Sequence, residues 1–324
     1  MKRFESFLAY RLEEYLAYRR SLDYVDENLR SCLRSFDRYV KENAVDPHSL
    51  TSLFFLTLRK ELRGEARTVN AVLSAARGFF QFLVRQGHCP ENPLRDIPPR
   101  PENAFIPYVF SPDAVERLLR AIRKRLRHDR CYFFNDLTAY IAILLLVRCG
   151  LRISEPLRLL LSHYRRDEKT IYIEKTKFAK DRLIPLPQQT ATEIDNYLAV
   201  RHALRDNDRN PFLLPGRDQK PLSANRIYPI FKQAVKDIGL KQPRRIIANT
   251  TFGAPTPHSL RHSFAVNTLK RIKQRGESPQ KALPVISAYL GHRKYRYTAV
   301  YLKVLDAEQR QGLVDFAIAR QEDI

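Results

Sequence analysis

Apolar residues fall at three- and four-residue intervals through the first part of the chain. Phe4, Phe7, Leu8, Leu12, Tyr15 and Leu16 make one stripe. Leu29, Leu33, Phe36 and Val40 make a second, and Val69, Val72, Leu73, Ala76, Phe80 and Leu83 a third. That period puts side chains on one face of a helix, so a helical domain with its own core is predicted over residues 1–100. Arg19, Arg20, Arg30, Arg34 and Arg38 fall on or beside the polar faces, where they suit either solvent or phosphate.

The pattern then stops. CPENPLRDIPPRPENAFIP, residues 89–107, holds six prolines and no periodicity, which predicts a linker. Periodicity resumes in SPDAVERLLRAIRK (111–124), which opens with a capping serine and a proline in the first turn. A further helix is predicted near 135–148. TIYIE (170–174) and RLIPL (182–186) read as two short strands joined in a hairpin. Helices follow, interrupted by a polar loop near 241–257. The expected fold is mainly α with a small antiparallel β-sheet, in two domains over residues 1–100 and 101–324.

Charge narrows the partners. The net charge is +22, but residues 1–103 carry 17 Lys and Arg against 14 Asp and Glu, while residues 104–324 carry 40 against 21. Such an excess, concentrated in one part, points to a polyanion, with nucleic acid ahead of an anionic membrane surface. Glu5 and Glu13 interrupt the N-terminal stretch, so no signal peptide is expected, and the apolar run 139–147 is short for a bilayer span. Cys32, Cys89, Cys131 and Cys149 are scattered without CxxC pairing, as suits reduced thiols and neither a zinc ribbon nor a disulfide scaffold.

Four polar clusters carry candidate chemistry. In RCGLRISEPLRLL (148–160), Arg152 sits just before a helical turn, where its fork and the helix N–H groups suit a phosphate, and Glu155 lies three residues on. KTKFAKDR (175–182) gathers Lys175, Lys177, Lys180 and Arg182 around one reversal. PHSLRHSF (257–264) sets His258, Arg261 and His262 within one helical turn, with His258 and Arg261 on one face. It lacks the glutamate of HExxH and any nearby Cys, Asp or Glu, which argues against metal. YLGHRKYRYTAVYLKV (289–304) offers His292 with Tyr295, Tyr297 and Tyr301, residues equally suited to packing or to one nucleophile.

In this order, GLRISE … TK … HSLRH … LGH … Y resembles the tyrosine recombinases, the phage integrase-like and Xer-like family. The resemblance covers nearly the whole chain, with the N-terminal helices similar to a SAM-like core-binding domain and most of 108–310 similar to the catalytic domain. It implies that Arg152 and Arg261 clamp a scissile phosphate and that Lys177, which precedes KDRLIPL, protonates the leaving 5′-oxygen. It further implies that His258 takes a proton as base, that His292 hydrogen-bonds the phosphate and that Tyr301 is the nucleophile. Glu155 is expected to orient Arg152 from behind, and His262 is expected to be structural. Phe178 stands where the hairpin often has glycine, and Pro156 lies close enough to Arg152 to disturb the helix start.

The implied activity is site-specific recombination through a 3′-phosphotyrosyl intermediate and a Holliday junction, with no metal and no other cofactor. It would serve a mobile element or replicon resolution. A type IB topoisomerase and a non-catalytic DNA-binding relative are the alternatives. The implied partners are double-stranded DNA with inverted-repeat sites, a homotetramer on synapsed DNA, and an accessory protein or partner recombinase. No membrane partner is expected, and the expected place is the cytoplasm, at the nucleoid. Residues 306–324, with an apolar stripe at Leu313, Phe316 and Ala317, are expected to form an exchange helix. No arm-binding domain is expected before the core-binding helices.

Overall fold

In the computed structural model the chain divides into two units, Met1–Asn103 and Ala104–Ile324. The structure describes residues 3–24, 27–44, 46–174, 181–205, 208–292, 297–302 and 304–305. Lys177, Phe178, Tyr295 and the 306–324 segment lie outside the described residues.

The first unit holds α1 (Ala9–Ser21), α2 (Glu27–Asn43), α3 (Ser52–Glu61) and α4 (Ala66–Arg85). Most of the stripe residues read from the sequence form its core: Leu12, Leu16, Leu33, Phe36, Val40, Val69, Leu73 and Ala76 are buried, whereas Phe7 is exposed. Asp37 of α2 is buried too, and its carboxylate accepts the Glu5 and Ser6 N–H groups and the Ser6 hydroxyl, fixing the chain ahead of α1.

The proline-rich segment is not a free linker through most of its length. Leu94 and Ile97 are buried in this first core. Arg77 of α4 donates to the Leu94 and Ile97 carbonyls at 3.0 and 2.7 Å, and Arg100 donates to those of Arg59 and Lys60 at 2.6 and 2.8 Å. Prolines remove backbone donors, so guanidiniums hold this strap, Arg77 through its carbonyls and Arg100 through those of α3.

The second unit runs β1 (Ala104–Ile106), α5 (Pro112–Lys124), α6 (Arg130–Cys149) and α7 (Ser154–Arg158). Then follow β2 (Tyr164–Arg165), β3 (Thr170–Ile173), β4 (Arg182–Pro185), α8 (Gln188–Leu204) and α9 (Ala224–Asp237). It closes with β5 (Arg245–Ile247), β6 (Thr250–Phe252), α10 (Pro257–Gln274) and α11 (Pro279–Leu290). Ser111 caps α5 by accepting the Ala114 N–H, and Pro112 occupies the first turn, as the sequence predicts.

α6 is the centre of this unit. Residues from Ala139 to Leu146 are buried on every side, against α8, α9, α10 and α5. Its length and composition would let it cross a membrane, beyond what the short apolar run suggests, but 67% of that window is buried inside the fold.

β2, β3 and β4 form an antiparallel sheet, with Ile171 opposite Ile184 and Ile173 opposite Arg182. Ile171, Ile173 and Ile184 turn into the core, the alternation expected of a half-buried hairpin. A second sheet, ordered β1–β6–β5, was not expected. β1 pairs in parallel with β6, and β5 and β6 make a hairpin inside the segment predicted to be a loop. Its strands have three residues each and β5 is exposed throughout, so no apolar alternation marks them in the sequence.

Candidate active site

Each sequence cluster enters the site from a different element. α6 ends at Gly150, whose φ of 58° is left-handed and whose α-carbon faces Phe264 of α10 so closely that a Cβ would lie 2.5 Å from that ring. Glycine is required there on both counts. The turn delivers Arg152 to the start of α7, where Glu155 and Pro156 occupy the first turn. The expected disturbance by Pro156 does not arise, because first-turn N–H groups have no intrahelical partner to lose.

Thr256 is the N-cap of α10 and its N–H donates to the Ser259 hydroxyl at 3.0 Å, while Pro257 stands at the first position. His258, Arg261 and His262 therefore lie in the first two turns. α11 ends in a left-handed Gly291, with the Gly291 and His292 N–H groups returning to the Ala288 and Ser287 carbonyls. His292 follows this cap, and its Nδ1 pairs with Thr298 Oγ1 at 2.8 Å. Tyr301 lies in the helical segment 297–302 and is buried among Ala265, Val266, Leu269, Leu283, Ile286 and Leu290. Tyr297 is half exposed, so the packing sets Tyr301 apart.

Glu155 holds the cluster together. Its carboxylate accepts the Arg152 N–H at 2.8 Å, Arg152 Nη1 at 2.9 Å and Arg182 Nη2 at 3.0 Å, with Arg261 Nη1 3.9 Å away. Burial pushes this carboxyl toward the neutral form, but Arg182, the Arg152 N–H, Arg261 and Arg152 outweigh it and hold the pKa below the usual range. Arg261 is almost fully buried. Burial, then Arg152, lower its pKa to about 10, which still leaves it charged at neutral pH.

Three successive carbonyls at the end of α11 each accept from a different arginine. Arg182 Nε donates to Tyr289 O at 2.7 Å, Arg261 Nη2 to Leu290 O, and Arg152 Nη2 to Gly291 O at 2.7 Å. A helix C-terminus leaves these acceptors unpaired and carries partial negative charge, so it gathers guanidiniums. The sequence marks Arg182 only as part of a basic turn. It joins the site with its side chain 10% exposed, and its Nη1 atom is buried with no hydrogen-bond partner among the described residues.

His258 is exposed at the start of α10, and partial desolvation, with the nearby Arg261 and Arg152 guanidiniums, lowers its pKa. Burial, His258, Arg261 and His292 lower that of His262 to about 3, and burial with Arg261 and Arg152 brings His292 to about 3. Burial raises Tyr301, against the opposing pull of Arg261 and Arg152. His262, expected to be structural, is the histidine that sits beside the tyrosine. Its Nδ1 lies 3.1 Å from Tyr301 Oη, whereas no hydrogen bond joins His258 to that hydroxyl. His258 packs edge-on to His262, with ring centroids 4.6 Å apart. Helical spacing places positions 258 and 262 one turn apart on one face, but only the packing of the distant Tyr301 segment selects between them.

Among the described residues, no group of three or more His, Cys, Asp or Glu side chains is arranged to hold a metal ion. Cys149 is buried in the core, which raises its thiol pKa to about 12 and leaves it unreactive.

A sequence profile described as the phage integrase family matches residues 109–308, well over half of the chain. The chain belongs to the phage integrase family of tyrosine recombinases. A second profile, the phage integrase N-terminal SAM-like domain, matches residues 11–87. This integrase-family chain is 30% identical over 303 residues to the integrase/recombinase y4rE of Sinorhizobium fredii, covering 93% of each. It is 27% identical over 317 residues to tyrosine recombinase XerA of Pyrococcus furiosus, covering 94% of each.

Lambda integrase bound to a core site shares the fold, with a TM-score of 0.61 at 17% identity, over 89% of this chain and 96% of that one. So does the integrase of transposon Tn1549 in complex with circular-intermediate DNA, with a TM-score of 0.61 at 17% identity over 93% and 99%. The recombinase is thus an enzyme of DNA strand exchange, with a mostly helical fold and a SAM-like N-terminal domain.

Proposed function

We propose that this recombinase cuts and rejoins DNA at specific sites by transferring a strand to Tyr301 as a 3′-phosphotyrosyl bond. The observation that carries this reading is the convergence of Arg152, Arg261, His262 and His292 on one buried tyrosine, with His258 packed against His262 and Glu155 holding the arginines. The covalent bond to Tyr301 conserves the phosphodiester's energy for rejoining, so neither metal nor nucleotide is consumed. Arg152 and Arg261 stabilise the charge that grows on the non-bridging oxygens, where losing one donor costs about 3 kcal/mol. His292 supplies a hydrogen bond to the same oxygens, and a histidine of α10, which the sequence resemblance gives as His258, takes the Tyr301 proton. Lys177 protonates the departing 5′-oxygen; its position before KDRLIPL supports this role.

The substrate is duplex DNA bearing inverted repeats, gripped by a core-binding domain of residues 1–100 and a catalytic domain of residues 101–324. Four protomers exchange strands through a Holliday junction, with or without an accessory protein or partner recombinase, for a mobile element or for replicon resolution. The solved lambda and Tn1549 relatives, described in complex with DNA, support the duplex substrate.

The test is a nicked suicide substrate that traps the cleaved strand. The wild-type protein should give a covalent protein–DNA adduct and Tyr301→Phe none; an adduct with Tyr301→Phe sinks the assignment. Lys177→Ala should regain cleavage on a substrate with a 5′-bridging sulfur, which leaves without a proton. Relaxation of a plasmid lacking target sites would favour a topoisomerase instead.

A further inference from the structure

We infer that His262, not His258, takes the phenolic proton of Tyr301 as the tyrosine attacks phosphorus. The inference rests on Tyr301 being the nucleophile proposed above. His262 Nδ1 is the imidazole nitrogen within hydrogen-bond reach of Tyr301 Oη, at 3.1 Å, with the ring centroids 5.6 Å apart. The contact is built into the core. Tyr301 packs against Ala265, Val266 and Leu269, the next turns of α10 after His262, so the tyrosine reaches α10 beyond His258. Tyr301 is 2% exposed, which leaves bulk water little access to its hydroxyl.

The proton balance is simple. With the ring proton on Nε2, the Nδ1 lone pair accepts from Tyr301 O–H, and that bond's electrons form the Oη–phosphorus bond. The P–O5′ bond breaks and its pair leaves on the 5′-oxygen, which is protonated by the general acid. On rejoining, the imidazolium returns its proton to Tyr301 as the Oη–phosphorus bond opens.

His262 is surrounded by His258 and Arg261 on α10, by His292 after α11 and by Tyr301, a setting that keeps it neutral without DNA. A phosphodiester between Arg152 and Arg261 offsets that positive field. The imidazole therefore gains proton affinity when the substrate arrives, and the base is strongest when there is a strand to cut.

Asparagine places an acceptor oxygen near the Nδ1 position but cannot take a proton. His262→Asn therefore separates holding the hydroxyl from accepting its proton, and His262→Gln provides a second variant should the first fail to fold. Single-turnover cleavage of the nicked suicide substrate, at saturating protein, is followed from pH 7 to 9. For a variant that keeps its Tm and DNA affinity, adduct formation should slow about 100-fold or more at pH 7.5. Its rate should then climb about tenfold per pH unit as hydroxide replaces the base, against a flatter wild-type profile.

Cleavage within threefold of wild type overturns the proposal. So does a slowed variant with a wild-type pH profile, because that pattern reports positioning alone. Tyr301→Phe run alongside separates the two readings. An adduct in that variant removes the nucleophile assignment itself, whereas its absence together with fast cleavage by His262→Asn removes only the role of His262.

Discussion

Glu155 faces three guanidiniums, and its charge matters more than its hydrogen bonds. Glu155→Gln keeps the shape and an acceptor for the Arg152 N–H but leaves Arg152, Arg182 and Arg261 without a balancing anion. Removing one partner from a buried ion cluster costs about 3 kcal/mol, or roughly 6–12 °C in Tm for a unit of this size. Calorimetry checks this, and an unchanged Tm would mean solvent screens the cluster. The folded carboxyl titrates below its unfolded value of about 4.3, so its contribution is complete above that pH and fades as pH falls further.

The histidines act at higher pH. His262 and His292 titrate at about 3 in the fold, against roughly 6.5 unfolded. Between those values the unfolded chain binds more protons, so stability is full above about pH 6.5 and drops as acid is added. Each group adds a slope of up to about 1.4 kcal/mol per pH unit. Tm should therefore fall from pH 6.5 to 4.5, and fall less steeply in His262→Asn.

The end of α11 gathers the site at the scale of the element. Gly291 holds the left-handed cap, and a Cβ there would lie 3.0 Å from Arg182 Nη1. Gly291→Ala should cost about 1 kcal/mol for the backbone alone. It should also slow cleavage more than tenfold, because it shifts the arginines that hang on residues 289–291; a variant with lowered Tm but full cleavage would deny that coupling. The sequence carried much of this. Three- and four-residue stripes gave the helices, and the motif order named Arg152, Glu155, His258, Arg261, His292 and Tyr301, which the described fold brings together. It did not reveal Arg182 or His262 as members of the site. Both side chains acquire their roles from carbonyls and a hydroxyl that are distant in the chain, and residue type alone carries no such signal. The strap at 89–101 hid for a related reason: prolines signal the absence of helix, and only the isolated Leu94 and Ile97 mark the burial.

The charge asymmetry has its consequence at the scale of the whole molecule. Residues 104–324 hold 40 Lys and Arg against 21 Asp and Glu, while residues 1–103 are nearly balanced at 17 against 14. Part of the balance in the first unit is internal. Arg30 pairs with Glu13 at 2.9 and 2.5 Å, and Lys41 with Glu5 at 2.5 Å, as Arg127 pairs with Asp136 and Arg148 with Glu116 in the second unit. Each phosphate neutralised by a protein cation releases counterions and adds about 0.9 to the slope of log affinity against log salt. The second unit should therefore set most of the salt dependence of non-specific binding. A fluorescent duplex without recombination sites, titrated from 50 to 200 mM salt, measures it for the full chain and for residues 104–324 alone. The fragment is expected to retain most of the full-chain slope. A slope cut to half or less would move the phosphate contacts to the first unit, and the cations of the second would then serve its own carboxylates rather than DNA.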